Sequence, residues 1–125
     1  MRHERLGAWA VVAALAVAGC TALPPTRSQK ISRGDPEFGK QALVDYGCVS
    51  CHSIPGVPGA DAFVGPPLDH FGRRSYIAGR LVNSQDNLVH WIMNPQAVEP
   101  GTAMPNLHVS EDDAINISAY LLSLD

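Results

Sequence analysis

The chain has 125 residues, 46% of them hydrophobic, and its 12 acidic and 9 basic side chains leave a formal charge of −3. So mild an acidic balance excludes nucleic-acid binding, which needs a concentrated basic face, and the length suits one domain with a modest core. Three cysteines are an odd number, so at least one has a use other than a disulfide.

The first segment reads as an export signal. Arg2 and Arg5 give a basic start, and residues 6–18 form an uncharged run of thirteen. A bilayer crossing needs about 20 such residues, so the run fits the apolar core of a signal peptide. It ends in Val17-Ala18-Gly19-Cys20, which resembles the bacterial lipobox. Residues 1–19 are therefore expected to be a lipoprotein signal peptide and Cys20 the lipidated new N-terminus. An uncleaved anchor or an ordinary signal peptide is the alternative. Removing Arg2, Glu4 and Arg5 leaves seven basic and eleven acidic side chains, a mature charge near −4. Residues 20–31 hold Pro24, Pro25 and polar residues with no hydrophobic period, and are expected to be a flexible membrane tether. Residues 32–125 are the folded domain.

A helix is predicted over 36–46, with Asp35 as N-cap, Pro36 at the first helical position and Gly47 as the stop. Phe38, Ala42, Leu43, Val44 and Tyr46 supply its apolar positions. Gly39 sits in its interior, where glycine costs about 1 kcal/mol against alanine, which points to another backbone passing close by.

The helix runs into Cys48-Val49-Ser50-Cys51-His52. This C-x-x-C-H spacing captures haem through two thioether bonds, and the histidine after the second cysteine lies beneath the iron. A C-x-x-C pair also serves as a dithiol redox centre or half a zinc site. A zinc site needs a second ligand pair, and Cys20, His70, His90 and His108 stand at no finger-like spacing. A thioredoxin-type centre needs a βαβ pattern, which is not visible.

Proline and glycine then mark loops in Ile54-Pro55-Gly56-Val57-Pro58-Gly59 and Gly65-Pro66-Pro67-Leu68. No alternating strand pattern appears. A helix is predicted over 85–93, capped by Ser84 and ended by Pro95, with Leu88, Trp91 and Ile92 as its stripe. The last helix starts at the Ser110 N-cap with Glu111, Asp112 and Asp113 in its first turn, and Ile117, Tyr120, Leu121 and Leu124 form its apolar face. Tyr120 lying over Gly39 would explain both residues.

Gly39 with Tyr120, the Cys48 to His52 pentapeptide, Gly65-Pro66-Pro67-Leu68, Trp91 and Pro100-Gly101-Thr102-Ala103-Met104-Pro105 together resemble a monohaem class I cytochrome c. The segment from Asn87-Leu88-Val89-His90-Trp91-Ile92 to Met104-Pro105 is most similar to domains associated with haem-copper terminal oxidases. The resemblance implies an all-α fold, three to five helices wrapped around one haem c bound covalently through Cys48 and Cys51. It makes His52 the proximal ligand, with the Pro66 carbonyl accepting from its other ring nitrogen. It makes Met104 the opposite ligand, since a Met/His pair raises the potential. Met93 reads as core, and His70, His90 and His108 as surface or packing residues. Trp91, Arg74 and Tyr76 resemble haem-propionate partners, and Arg73 and Arg80 are expected to be solvated.

The function implied is one-electron transfer in a respiratory chain, not catalysis. The expected partners are redox proteins, namely a terminal oxidase, a cytochrome reductase or a dehydrogenase, with no small-molecule substrate. A cytochrome subunit of a periplasmic dehydrogenase is the first alternative, and a gas sensor or peroxidase a further one. The expected location is the outer, periplasmic face of a bacterial cytoplasmic membrane, with the outer membrane as a second possibility.

Overall fold

The computed structural model describes Ile31 and residues 33–125. The expected signal peptide, the lipidated Cys20 and most of the tether lie outside the described residues. Four α-helices are present among those described: α1 (Pro36–Asp45), α2 (Gln85–Met93), α3 (Pro95–Val98) and α4 (Glu111–Ser123). Two 3₁₀ turns, Cys48–Ser50 and Phe71–Arg73, and a two-stranded antiparallel hairpin, β1 (Tyr76–Ile77) with β2 (Leu81–Val82), complete the fold. The helical expectation holds. The hairpin is an addition to it, because strands of two residues are too short to show a period of two.

Local chemistry sets the helix ends. The Asp35 carboxylate accepts from the Glu37 N–H at 2.8 Å, and Pro36 follows at the first helical position. The Ser84 hydroxyl caps α2 through the Asn87 N–H. Pro95 does end α2, with Asn94 as the cap, but it also opens α3. At α4 the Ser110 hydroxyl accepts from the Asp113 N–H at 3.2 Å and donates to its carboxylate at 2.7 Å. The Tyr46 hydroxyl donates to the same carboxylate at 2.8 Å, tying the end of α1 to the start of α4. These hydroxyls hold the Asp113 carboxyl below its ordinary pKa, Ser110 contributing most.

The core forms where α1 and α4 cross and α2 packs on α4. Leu43, Leu88, Ile117 and Leu122 are almost wholly buried there. The buried face of α1 is Gly39, Ala42 and Leu43, whereas Phe38 is 68% exposed and Val44 40%, so these two do not belong to its core face as expected.

Gly39 does mark a close crossing, but Tyr120 is not its cause. A Cβ at residue 39 would collide with the backbone carbonyl of Asn116. Tyr120 instead donates its hydroxyl to the Pro55 carbonyl at 2.6 Å, over Gly56. Because the obstacle at Gly39 is backbone on both sides, Gly39→Ala is expected to destabilise the loaded protein toward the upper end of the about 1–3 kcal/mol typical of overpacking. A shifted denaturant midpoint would show this, and an unchanged midpoint would contradict the close crossing.

Candidate functional site

The C-x-x-C-H segment is shaped by a left-handed glycine. Gly47, at φ 75°, ends α1 and turns the chain into the Cys48–Ser50 3₁₀ turn. The N–H groups of Cys51 and His52 both return to the Cys48 carbonyl, at 3.2 and 3.1 Å. This compact turn brings both thiols and the imidazole to one wall of a cleft of about 440 Å³.

The histidine is oriented by the following loop. Nδ1 of His52 lies 2.7 Å from the Pro66 carbonyl. A carbonyl only accepts, so Nδ1 carries the proton and Nε2 keeps its lone pair, the state a metal ligand needs. The loop itself is pinned, with the Gly65 N–H on the Cys51 carbonyl at 2.7 Å and the Leu68 N–H on the Ser53 carbonyl at 2.8 Å. A Cβ at residue 65 would strike the His52 ring, so the backbone there packs flat against the imidazole.

The other walls are largely apolar. Leu43, Leu88, Ile92, Ile117 and Leu121 line the interior, and Trp91 and Met104, both half-buried, face the same cleft. Arg74 and Tyr76 line it as well. Nη2 of Arg74 donates to the Pro67 and Asp69 carbonyls at 2.6 and 2.9 Å, and the guanidinium stacks 5.1 Å from the centre of the Phe71 ring. All eight residues singled out for the cofactor, Cys48, Cys51, His52, Pro66, Arg74, Tyr76, Trp91 and Met104, thus border one cavity. Met93 packs against the core and His70, His90 and His108 are exposed.

A haem c fits this site. The volume lies within the range of about 300–1,000 Å³ usual for cofactor sites, the interior is apolar, and the donor set is two thiols, an imidazole with its outer nitrogen fixed, and a thioether. The Cys48 thiol is not activated as the attacking thiol of a dithiol redox centre. Burial pushes the Cys48 thiol above its ordinary pKa, with the Cys51 charge adding and a backbone hydrogen bond opposing. A reactive dithiol needs the reverse.

Two further polar contacts shape the rim, and sequence reading did not find them. Arg80 is not merely solvated. Its Nε and Nη2 form a two-pronged pair with the Glu99 carboxylate, strapping the hairpin turn to the loop that leads to Met104. The side-chain amide of Gln96 reaches the same loop, bonding to Gly101, Thr102 and Met104. Both contacts span loops, where no periodicity signals a partner.

Residues 37–125 match the family model described as Cytochrome c. The chain is also similar to three proteins named cytochrome c oxidase subunit 2. It is 39% identical to that of Alkalihalophilus pseudofirmus over 87 residues, covering 69% of this chain and 25% of the relative. It is 32% identical to that of Bacillus sp. (strain PS3) over 88 residues, 67% of this chain and 25% of the relative. The Bacillus subtilis protein is 31% identical over 83 residues, 62% and 23%. The chain thus spans about a quarter of the length of the curated relatives it matches.

Proposed function

The chain belongs to the cytochrome c family, as a class I domain, and on that premise we propose that it is a lipid-anchored periplasmic carrier that delivers electrons to a haem-copper terminal oxidase or forms part of one. The observation that supports the electron-carrier part of this reading is the convergence of the Cys48, Cys51 and His52 turn with Met104 on one apolar cleft.

The roles divide among this chain's own residues. Cys48 and Cys51 would hold one haem c through two thioether bonds, and His52 Nε2 and the Met104 sulfur would bind its iron. When bound, the haem supplies the ferric/ferrous couple. The Pro66 carbonyl, by holding the Nδ1 proton, fixes the ring and raises the basicity of Nε2. The apolar walls exclude water, and a neutral thioether at the iron would favour its ferrous state. Arg74, with Nε and Nη1 beyond the two bonds of its Nη2, Tyr76 and Trp91 are assigned to the propionates.

Residues 1–19 are assigned as the signal peptide, 20–31 as the tether carrying lipidated Cys20, and 32–125 as the electron-transfer domain. No helix among the described residues is long and apolar enough to cross a membrane. The oxidase partner is supported by likeness to a quarter of proteins named as oxidase subunits. The reduced, haem-loaded protein is expected to be reoxidised by a haem-copper oxidase under air, at a rate that changes with ionic strength if the two meet by electrostatic steering. A rate flat in salt favours a fixed subunit. No reoxidation at all, with reduction by a periplasmic dehydrogenase, would reverse the direction of flow.

A further inference from the structure

The loop that presents Met104 has little regular structure to hold it. The Thr102 N–H bonds to the Glu99 carbonyl at 3.0 Å, and the Met104 N–H lies 3.5 Å from the Thr102 hydroxyl. Gly101 at φ 84° adds no side chain. Methionine itself has three rotatable bonds, so the place of its sulfur depends on the backbone that carries it.

Gln96 supplies the restraint. It is half-buried on α3, next to the buried Pro95. Its Nε2 donates to the Thr102 carbonyl at 2.7 Å and to the Met104 carbonyl at 2.9 Å, and its Oε1 accepts from the Gly101 N–H at 3.2 Å. One amide thus satisfies three backbone groups across four residues of the loop. The partners also fix its orientation, because two carbonyls must face the NH₂ and the N–H must face the oxygen. Arg80 with Glu99 holds the start of the loop, and Gln96 holds the part that ends in Met104.

We propose that Gln96 is a positioning residue for the Met104 sulfur, its amide setting how firmly the loop keeps the thioether in the cleft against competing ligands. The inference rests on Met104 being an axial ligand. A loop held by three hydrogen bonds presents its sulfur at a high effective concentration, and one that swings free presents it at a lower one.

The test is a titration of the ferric, haem-loaded protein with imidazole, which competes for the position of the sulfur. Gln96→Glu keeps the shape but turns a carboxylate oxygen toward two carbonyls, and Gln96→Ala removes the amide altogether. Both variants are expected to bind imidazole about tenfold more tightly than the parent, since two or three hydrogen bonds to the loop are lost. Met104→Ala, run alongside, is expected to bind it more tightly still. If Met104→Ala binds imidazole like the parent, the ligand assignment falls and this inference with it. If Met104→Ala binds more tightly while Gln96→Glu and Gln96→Ala match the parent, with or without a lower melting temperature, Gln96 is merely structural and the inference alone is overturned.

Discussion

Met104→Ala is expected to open the sixth position of the iron. The ferrous variant should bind carbon monoxide rapidly, and its midpoint potential should fall by on the order of a few hundred millivolts, since axial ligands move haem potentials over about 0.8 V. The effect is large because, among the described residues, no methionine or histidine other than Met104 and His52 lines the cleft. Met93 lies in the helix α2 and packs against the core. His70, His90 and His108 are exposed, and none of them lines the cleft. A variant that keeps the parent spectrum and potential would show that Met104 is not the ligand.

Replacing both Cys48 and Cys51 by serine is expected to abolish covalent haem and, with it, the fold. The side chains that line the cleft, among them Leu43, Leu88, Ile92, Ile117 and Leu121, are also the centre of the core. Without the haem these apolar side chains are left facing an open cleft of about 440 Å³, a loss of burial that a domain with a total stability of about 5–15 kcal/mol does not sustain. The double variant should therefore lose most of its far-ultraviolet helical signal and show no haem on a denaturing gel. A variant with full helicity and a cooperative thermal transition would mean that the core closes without the cofactor.

Much of this was legible in the chain because short-range chemistry dictates it. Asp35 with Pro36, Ser84, and Ser110 with its acidic first turn each mark a helix start that depends on one or two neighbours. Gly47 marks a stop for the same reason, since left-handed backbone favours glycine. The Cys48 to His52 turn is equally local, whereas the Pro66 carbonyl that meets His52 from 14 residues on was anticipated only through the family resemblance. What escaped notice depends on distance in sequence. Tyr120 reaches Pro55 across 65 residues, and Asn116 meets Gly39, because the register of the α1 and α4 crossing is set by packing. An apolar pattern gives the faces of two helices but not the rung at which they meet. Phe38 is apolar and four residues before Ala42, yet exposed, because it lies at the edge of the buried arc of Gly39, Ala42 and Leu43. The hairpin, the Arg80–Glu99 strap and the bonds of the Gln96 amide each involve a loop, where the partner of a polar side chain is decided only by the folded path.

In the proposed carrier, His52 and Met104 together fill both ligand positions of an electron-transferring haem. The absorption spectrum of the ferrous, haem-loaded protein before and after carbon monoxide tests it most directly. The expected result is a low-spin spectrum that carbon monoxide leaves unchanged. Rapid formation of a carbonyl adduct would mean an open or labile sixth position, contradicting the carrier and favouring a gas sensor or peroxidase.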